Sequence, residues 1–89
     1  MLFLLAKLLE NSITLDSSIT SGVVITRVYN NYPSFKAGLK KGDIIVKVGD
    51  EEIKDMASFK YQLYKYNIGD KMSVTYIRNN KEEKTTLQL

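Results

Sequence analysis

Eighty-nine residues, 44% of them hydrophobic and 26% charged, make one folded domain with a modest core; they leave no room for a second domain and do not compose a disordered chain. With no Cys and no His, the chain excludes disulfides, thiol nucleophiles, histidine metal sites and a Ser-His-Asp triad within itself, while its redox compartment stays open. Thirteen Lys and Arg are interspersed with ten Asp and Glu for a net charge of +3, too mild and too mixed to make a nucleic-acid stripe.

The apolar run over 2–9 is far short of the roughly twenty residues that cross a bilayer. It also lacks a basic leader and a small-residue cleavage site, so no membrane insertion is expected of it. It reads as part of the fold, or as the edge of an excised piece beginning at an added Met1. Propensity alone favours a short buried helix here, with a strand as the alternative.

Val23-Val24-Ile25-Thr26-Arg27-Val28 is rich in β-branched residues and flanked by Ser21-Gly22 and Asn30-Asn31, which predicts a central, largely buried strand. Pro33 then opens a helical turn over 34–37, and Gly38 suits its left-handed close. Phe35, Ala37 and Leu39 are expected to plug one end of the core. Gly42-Asp43 turns the chain into a strand over 44–48, Gly49-Asp50 ends it, and Ile53 returns as a short strand. Asp55 is a candidate N-cap for a helix over 56–66, whose Met56, Phe59, Leu63 and Tyr66 recur at spacings of three and four along one face. Lys60 and Lys65 fall on the solvent side. After Gly69-Asp70, the segment 72–77 pairs through Asn79-Asn80 with 84–89 as a terminal hairpin.

Catalytic and metal chemistry finds no support in these elements. The acids of Asp50-Glu51-Glu52 and Glu82-Glu83 lie in exposed turns with nothing to raise a pKa. Asp16, Asp43, Asp50, Asp55 and Asp70 each sit where a turn or cap would use them, without EF-hand spacing. Neither metal nor cofactor is expected. Lys40-Lys41 and the charged run 81–84 read as solvated turns, and the tyrosines, Tyr61, Tyr64, Tyr66 and Tyr76 among them, as half-buried rim residues.

The order Ala37-Gly38-Leu39-Lys40-Lys41-Gly42-Asp43, an apolar strand, a polar turn and Ile53 resembles the central signature of PDZ domains, above all those of bacterial HtrA-type serine proteases. The stretch from Phe59 through Gln62, Leu63 and Tyr66 to Gly69-Asp70 is similar to its counterpart in Gram-positive HtrA proteases. The resemblance is clear over 22–89 and weaker before that. It implies an α+β, mainly β fold: a single PDZ domain over 1–89, a partly open barrel of five or six strands capped by two helices. It also implies a non-catalytic module that binds protein C-termini or unfolded hydrophobic peptide segments. Such a module delivers substrate to an attached trypsin-like domain, or regulates it, at the bacterial cell envelope or outside the cell.

Peptides bind such domains by adding a strand to an open sheet edge beside a helix. The resemblance places that edge on Phe3, Leu4, Leu5, Ala6, Lys7 and Leu8, which favours the strand reading of the N-terminal run, and the helix over 56–66. Leu5 stands where the pattern has a glycine, which disturbs the backbone nest that captures a terminal carboxylate. Phe59 and Leu63 serve the core first, and Gln62 and Tyr66 flank them as groove-lining candidates. Related modules occur in carboxyl-terminal processing proteases, intramembrane metalloproteases and secretion-system proteins. A self-associating structural module, pairing through the apolar run over 2–9, is the rival from another class.

Overall fold

The computed structural model describes residues 13–16, 21–30, 32–67 and 69–89. In chain order these form β1 (Ile13–Asp16), β2 (Val23–Val28), α1 (Pro33–Lys36), β3 (Ile44–Val48), β4 (Glu51–Glu52), α2 (Met56–Leu63), β5 (Lys71–Arg78) and β6 (Lys81–Gln88). The strands make one antiparallel sheet in the order β1-β2-β3-β5-β6, with β4 paired to β3 off that path. Among the described residues the sheet does not close. It carries the expected mainly β character, and the described residues supply the two short helices.

Alternation, shifted once by an irregularity in β3 after Ile45, builds the core. Val23 and Ile25 of β2, Ile45 and Val48 of β3, Met72 and Val74 of β5 and Leu87 of β6 turn inward and are almost wholly buried, with Ile53 beneath them. Phe59 and Leu63 of α2 close the cluster, and Ile13 joins it from β1. The terminal hairpin turns where expected: Asn79 and Asn80 both take positive φ (53° and 64°), the conformation a two-residue turn needs to match strand twist and one that Asn tolerates.

Four expectations change. β2 is not buried throughout, because Thr26 and Arg27 are both exposed. Phe35 does not plug the core: it stands 49% exposed, while Ser34 is the buried residue of α1 and Leu39 (2%) fills the place behind it. One helical turn points residues 34 and 35 about 100° apart, so only one can face the sheet. The return after Gly49-Asp50 is the pair Glu51–Glu52, and Ile53 follows it with its amide donating to the Val46 carbonyl at 2.8 Å. Helix α2 stops at Leu63 instead of reaching Tyr66; the amides of Lys65 and Tyr66 bond three residues back, to Gln62 and Leu63, in a tightened last turn. The expected groove strand over 3–8 lies outside the described residues.

Where β2 starts, Gly22 runs against the middle of the sheet. Its φ is +95°, and a Cβ there would meet the Ile45 carbonyl oxygen at 2.7 Å. Its amide donates to the Lys54 carbonyl at 3.1 Å, tying β2 to the connection that leads into α2.

Candidate functional site

Helix α2 is set by its first turn. Asp55 Oδ1 accepts the Ser58 amide at 2.9 Å, and Ser58 Oγ accepts the amides of Asp55 (3.1 Å) and Lys54 (2.9 Å), a reciprocal capping box. The Ser58 backbone amide, followed by the Ser58 hydroxyl, holds the Asp55 carboxyl below its usual range. With the start fixed, Phe59 and Leu63 fall one turn apart on the inner face, each 3% exposed. They form the floor of any surface here and offer little of themselves to a ligand. Gln62 and Tyr66 are half-buried beside them, and Tyr66 packs on the core. The Tyr66 hydroxyl lies close to Gly49, toward the β3–β4 turn. The four α2-side residues expected from the sequence, Phe59, Gln62, Leu63 and Tyr66, therefore belong to one side of α2 and its closing turn.

Among the described residues, one edge of the sheet is β1, a segment that sequence reasoning left in a connecting loop, while the edge expected over 3–8 lies outside them. β1 pairs with β2 on one side and, among the described residues, with no strand on the other. Ile13 is buried and Leu15 partly so, while Thr14 and Asp16 are exposed. That two-residue alternation is the signal that could have revealed the strand, and four residues are too few to make it stand out. An unpaired edge offers backbone N–H and C=O groups to an incoming strand. Ile13, Phe59 and Leu63 share one buried cluster, so the open edge and α2 rest on a common base.

Sequence reasoning also missed a polar anchor. Asp43 is 2% exposed and accepts Arg78 Nε at 2.8 Å on Oδ1, and Arg78 Nη2 at 2.5 Å and the Lys40 amide at 2.9 Å on Oδ2. Arg78 Nη2 reaches the Gly38 carbonyl as well, at 2.9 Å. The carboxylate bond raises the Arg78 pKa above its already high ordinary value, against a smaller opposing effect of burial. Residues 35 apart in the chain give no local spacing to read. Among the described residues, no group of three or more acids is placed to hold a metal, and the shifted groups are the cap Asp55, the paired Arg78 and Arg27, whose pKa is raised first by its bond to Tyr29. Each shift favours the ordinary charged form.

Comparison with known proteins agrees with that geometry. The family model described as PDZ domain matches residues 8–89. The serine protease Do-like HtrA of Lactococcus lactis subsp. lactis (strain IL1403) is 39% identical over 80 residues, covering 90% of this chain and 20% of that protein. The probable periplasmic serine endoprotease DegP-like of Rickettsia prowazekii (strain Madrid E) is 35% identical over 63 residues, covering 71% of this chain and 12% of its own length. The chain thus spans about a fifth or less of the curated relatives it matches. Among solved structures, the HtrA3 PDZ domain bound to a phage-derived ligand superposes with a TM-score of 0.73 at 21% identity, over 86% of this chain and 80% of that one. HtrA-type protease AlgW with decapeptide gives 0.73 at 23%, over 86% and 26%. A six-stranded sheet, open among the described residues, with a capped helix packed on the same core, matched over nearly its whole length by one family model, makes this chain a member of the PDZ domain family, with HtrA and DegP serine proteases among its relatives.

Proposed function

We propose that the chain is a single peptide-binding domain over 1–89 that takes up hydrophobic peptide segments, C-terminal or unfolded, as an added strand on the open edge of β1, with Gln62 and Tyr66 lining the helix side above the Phe59 and Leu63 floor. The observation that carries this reading is the edge of β1, unpaired among the described residues and built on the same core as α2. The solved relatives whose names mention a phage-derived ligand or a decapeptide support it by fold. On a longer polypeptide, the domain serves as a non-catalytic part of a serine endopeptidase, delivering substrate or regulating the protease, at the cell envelope or outside the cell. A periplasmic assignment in the name of one relative is in keeping with that location.

The test is a titration of the isotopically labelled protein with a hydrophobic C-terminal peptide and its amidated twin, following backbone amide shifts. Shifts over Ile13–Asp16 and Met56–Leu63 that weaken with the amidated peptide are expected. Equal shifts with both peptides mean recognition of internal or unfolded segments, without carboxylate capture. Shifts over 3–8 with none at β1 return the edge to the N-terminal run. No shift with either peptide overturns the reading in favour of a self-associating module, which a concentration-dependent sedimentation coefficient would identify.

A further inference from the structure

β2 meets β1 with one residue to spare. Ile13 faces Val28 and Thr14 faces Arg27, but Leu15 faces Ile25, so Thr26 has no opposite number. Ile25 and Val28 both turn to the core, and the two residues between them, Thr26 and Arg27, both face solvent. A β-bulge does this: it inserts a residue and re-aims the side chains around it. Thr26 is then spent locally, its hydroxyl 2.5 Å from that of Thr14 and donating to the Thr14 carbonyl at 3.1 Å. Arg27 is left on the outer face, opposite the short Thr14. It leans on Tyr29, with its guanidinium carbon 5.6 Å from the ring centroid and a long 3.5 Å bond to the hydroxyl. Among the described residues the ion pair is Asp43–Arg78, and no carboxylate pairs with Arg27.

Strands in a sheet lie about 4.8 Å apart, so a strand added to β1 runs roughly 10 Å from β2. An arginine from β2 and a carboxylate from the added strand close that gap from opposite sides across Thr14. Arg27 stands in register with Thr14 alone, so the preference belongs to the peptide position that faces Thr14 and not to its neighbour. We infer that Arg27 selects, in the peptide bound on β1, an Asp or Glu at the outward-facing position opposite Thr14. The inference rests on the strand-addition reading above and deepens it to a class of ligand.

The test uses the whole 89-residue protein and a peptide series carrying Ala, Glu or Lys at each of two successive outward-facing positions, with affinities taken from amide-shift titrations at low salt. Glu is expected to bind about two- to fivefold better than Ala at one position only, with Lys weaker than Ala, as for an exposed ion pair. The preference disappears in Arg27→Ala, reverses in Arg27→Glu and fades as salt rises. Arg27 is exposed, and an unchanged melting temperature checks that both variants fold. Lys65→Ala removes the same net charge elsewhere. If the preference survives in Arg27→Ala, or falls equally in Lys65→Ala, the inference is overturned while β1 shifts keep the groove. If no peptide shifts β1, the strand-addition reading fails and takes this one with it.

Discussion

Asp43 and Arg78 show what a single side chain contributes here. A buried carboxylate is costly unless its charge is paired and its lone pairs are used. Asp43 meets both conditions with a two-pronged grip from Arg78 and a backbone amide from Lys40. The grip ties the turn before β3 to the end of β5. Replacing Asp43 with Ala is expected to lower unfolding free energy by about 3 kcal/mol, near the lower end for a broken buried pair because the freed guanidinium already touches solvent. Urea denaturation of Asp43→Ala, Arg78→Ala and the double variant checks it: the double variant should lose less than the sum of the singles. Since the folded pKa of Arg78 is raised, its contribution is fully present through the neutral range and is lost only in strong alkali. None of this was legible in the sequence. Asp43 presented itself as a turn residue and Arg78 as the residue before Asn79-Asn80, and only the fold brings the two together.

Among the elements, α2 was the most legible because two independent local signals coincide: a capping residue and an apolar stripe at helical spacing. Its end was less so, since Tyr66 keeps the apolar spacing while the backbone has already tightened into a turn. The cap has a pH consequence. The Asp55 carboxyl sits below its usual range because the Ser58 amide bonds the charged form. Its stabilisation is therefore complete above the ordinary carboxylate range and is lost as pH falls through the lowered folded value. A melting series from neutral to strongly acid pH should show Asp55→Ala melting lower than the parent at neutral pH and converging with it in strong acid. β1 and the bulge in β2 lay at the other extreme. A four-residue strand is nearly silent in a sequence, and the bulge is set by register against a partner. The β-branched residues around Thr26 and Arg27 then suggested burial where the partner strand imposes exposure. On the candidate site, the residues of α2 were legible for the same reason as the helix, and β1, the edge proposed above, was not.

At the scale of the molecule, the resemblance over 22–89 carried the architecture, because turn residues, strands and helix arrive in a fixed order that few folds share. Close approaches between distant segments are not written in that order, and Gly22 is one of them. Its φ is +95°, with no room for a Cβ beside the Ile45 carbonyl, and the same residue holds the Lys54 carbonyl. Gly22→Ala should therefore cost at least about 1 kcal/mol, exceeding the ordinary entropic benefit of replacing a glycine. It should also broaden the amide spectrum of β2, β3 and the start of α2 together, which chemical denaturation and a single fingerprint spectrum would detect.

β3 pairs with β2, β4 and β5, and so every strand in the sheet reaches the rest of the fold through it or through a strand it holds. The hairpins on either side can form within microseconds from neighbouring residues. Joining them through β3 requires the chain to close loops around α1 and again around β4 and α2, an entropic cost met before any contact repays it. Folding should thus wait on β3, whose side chains set the barrier on the way in. β1, which among the described residues is a four-residue strand held from one side by β2, is short enough to open and reclose without unfolding the rest. A ligand added to that strand would lengthen the life of the edge it occupies, so that kinetic persistence at the periphery depends on what is bound there while the centre keeps its own clock.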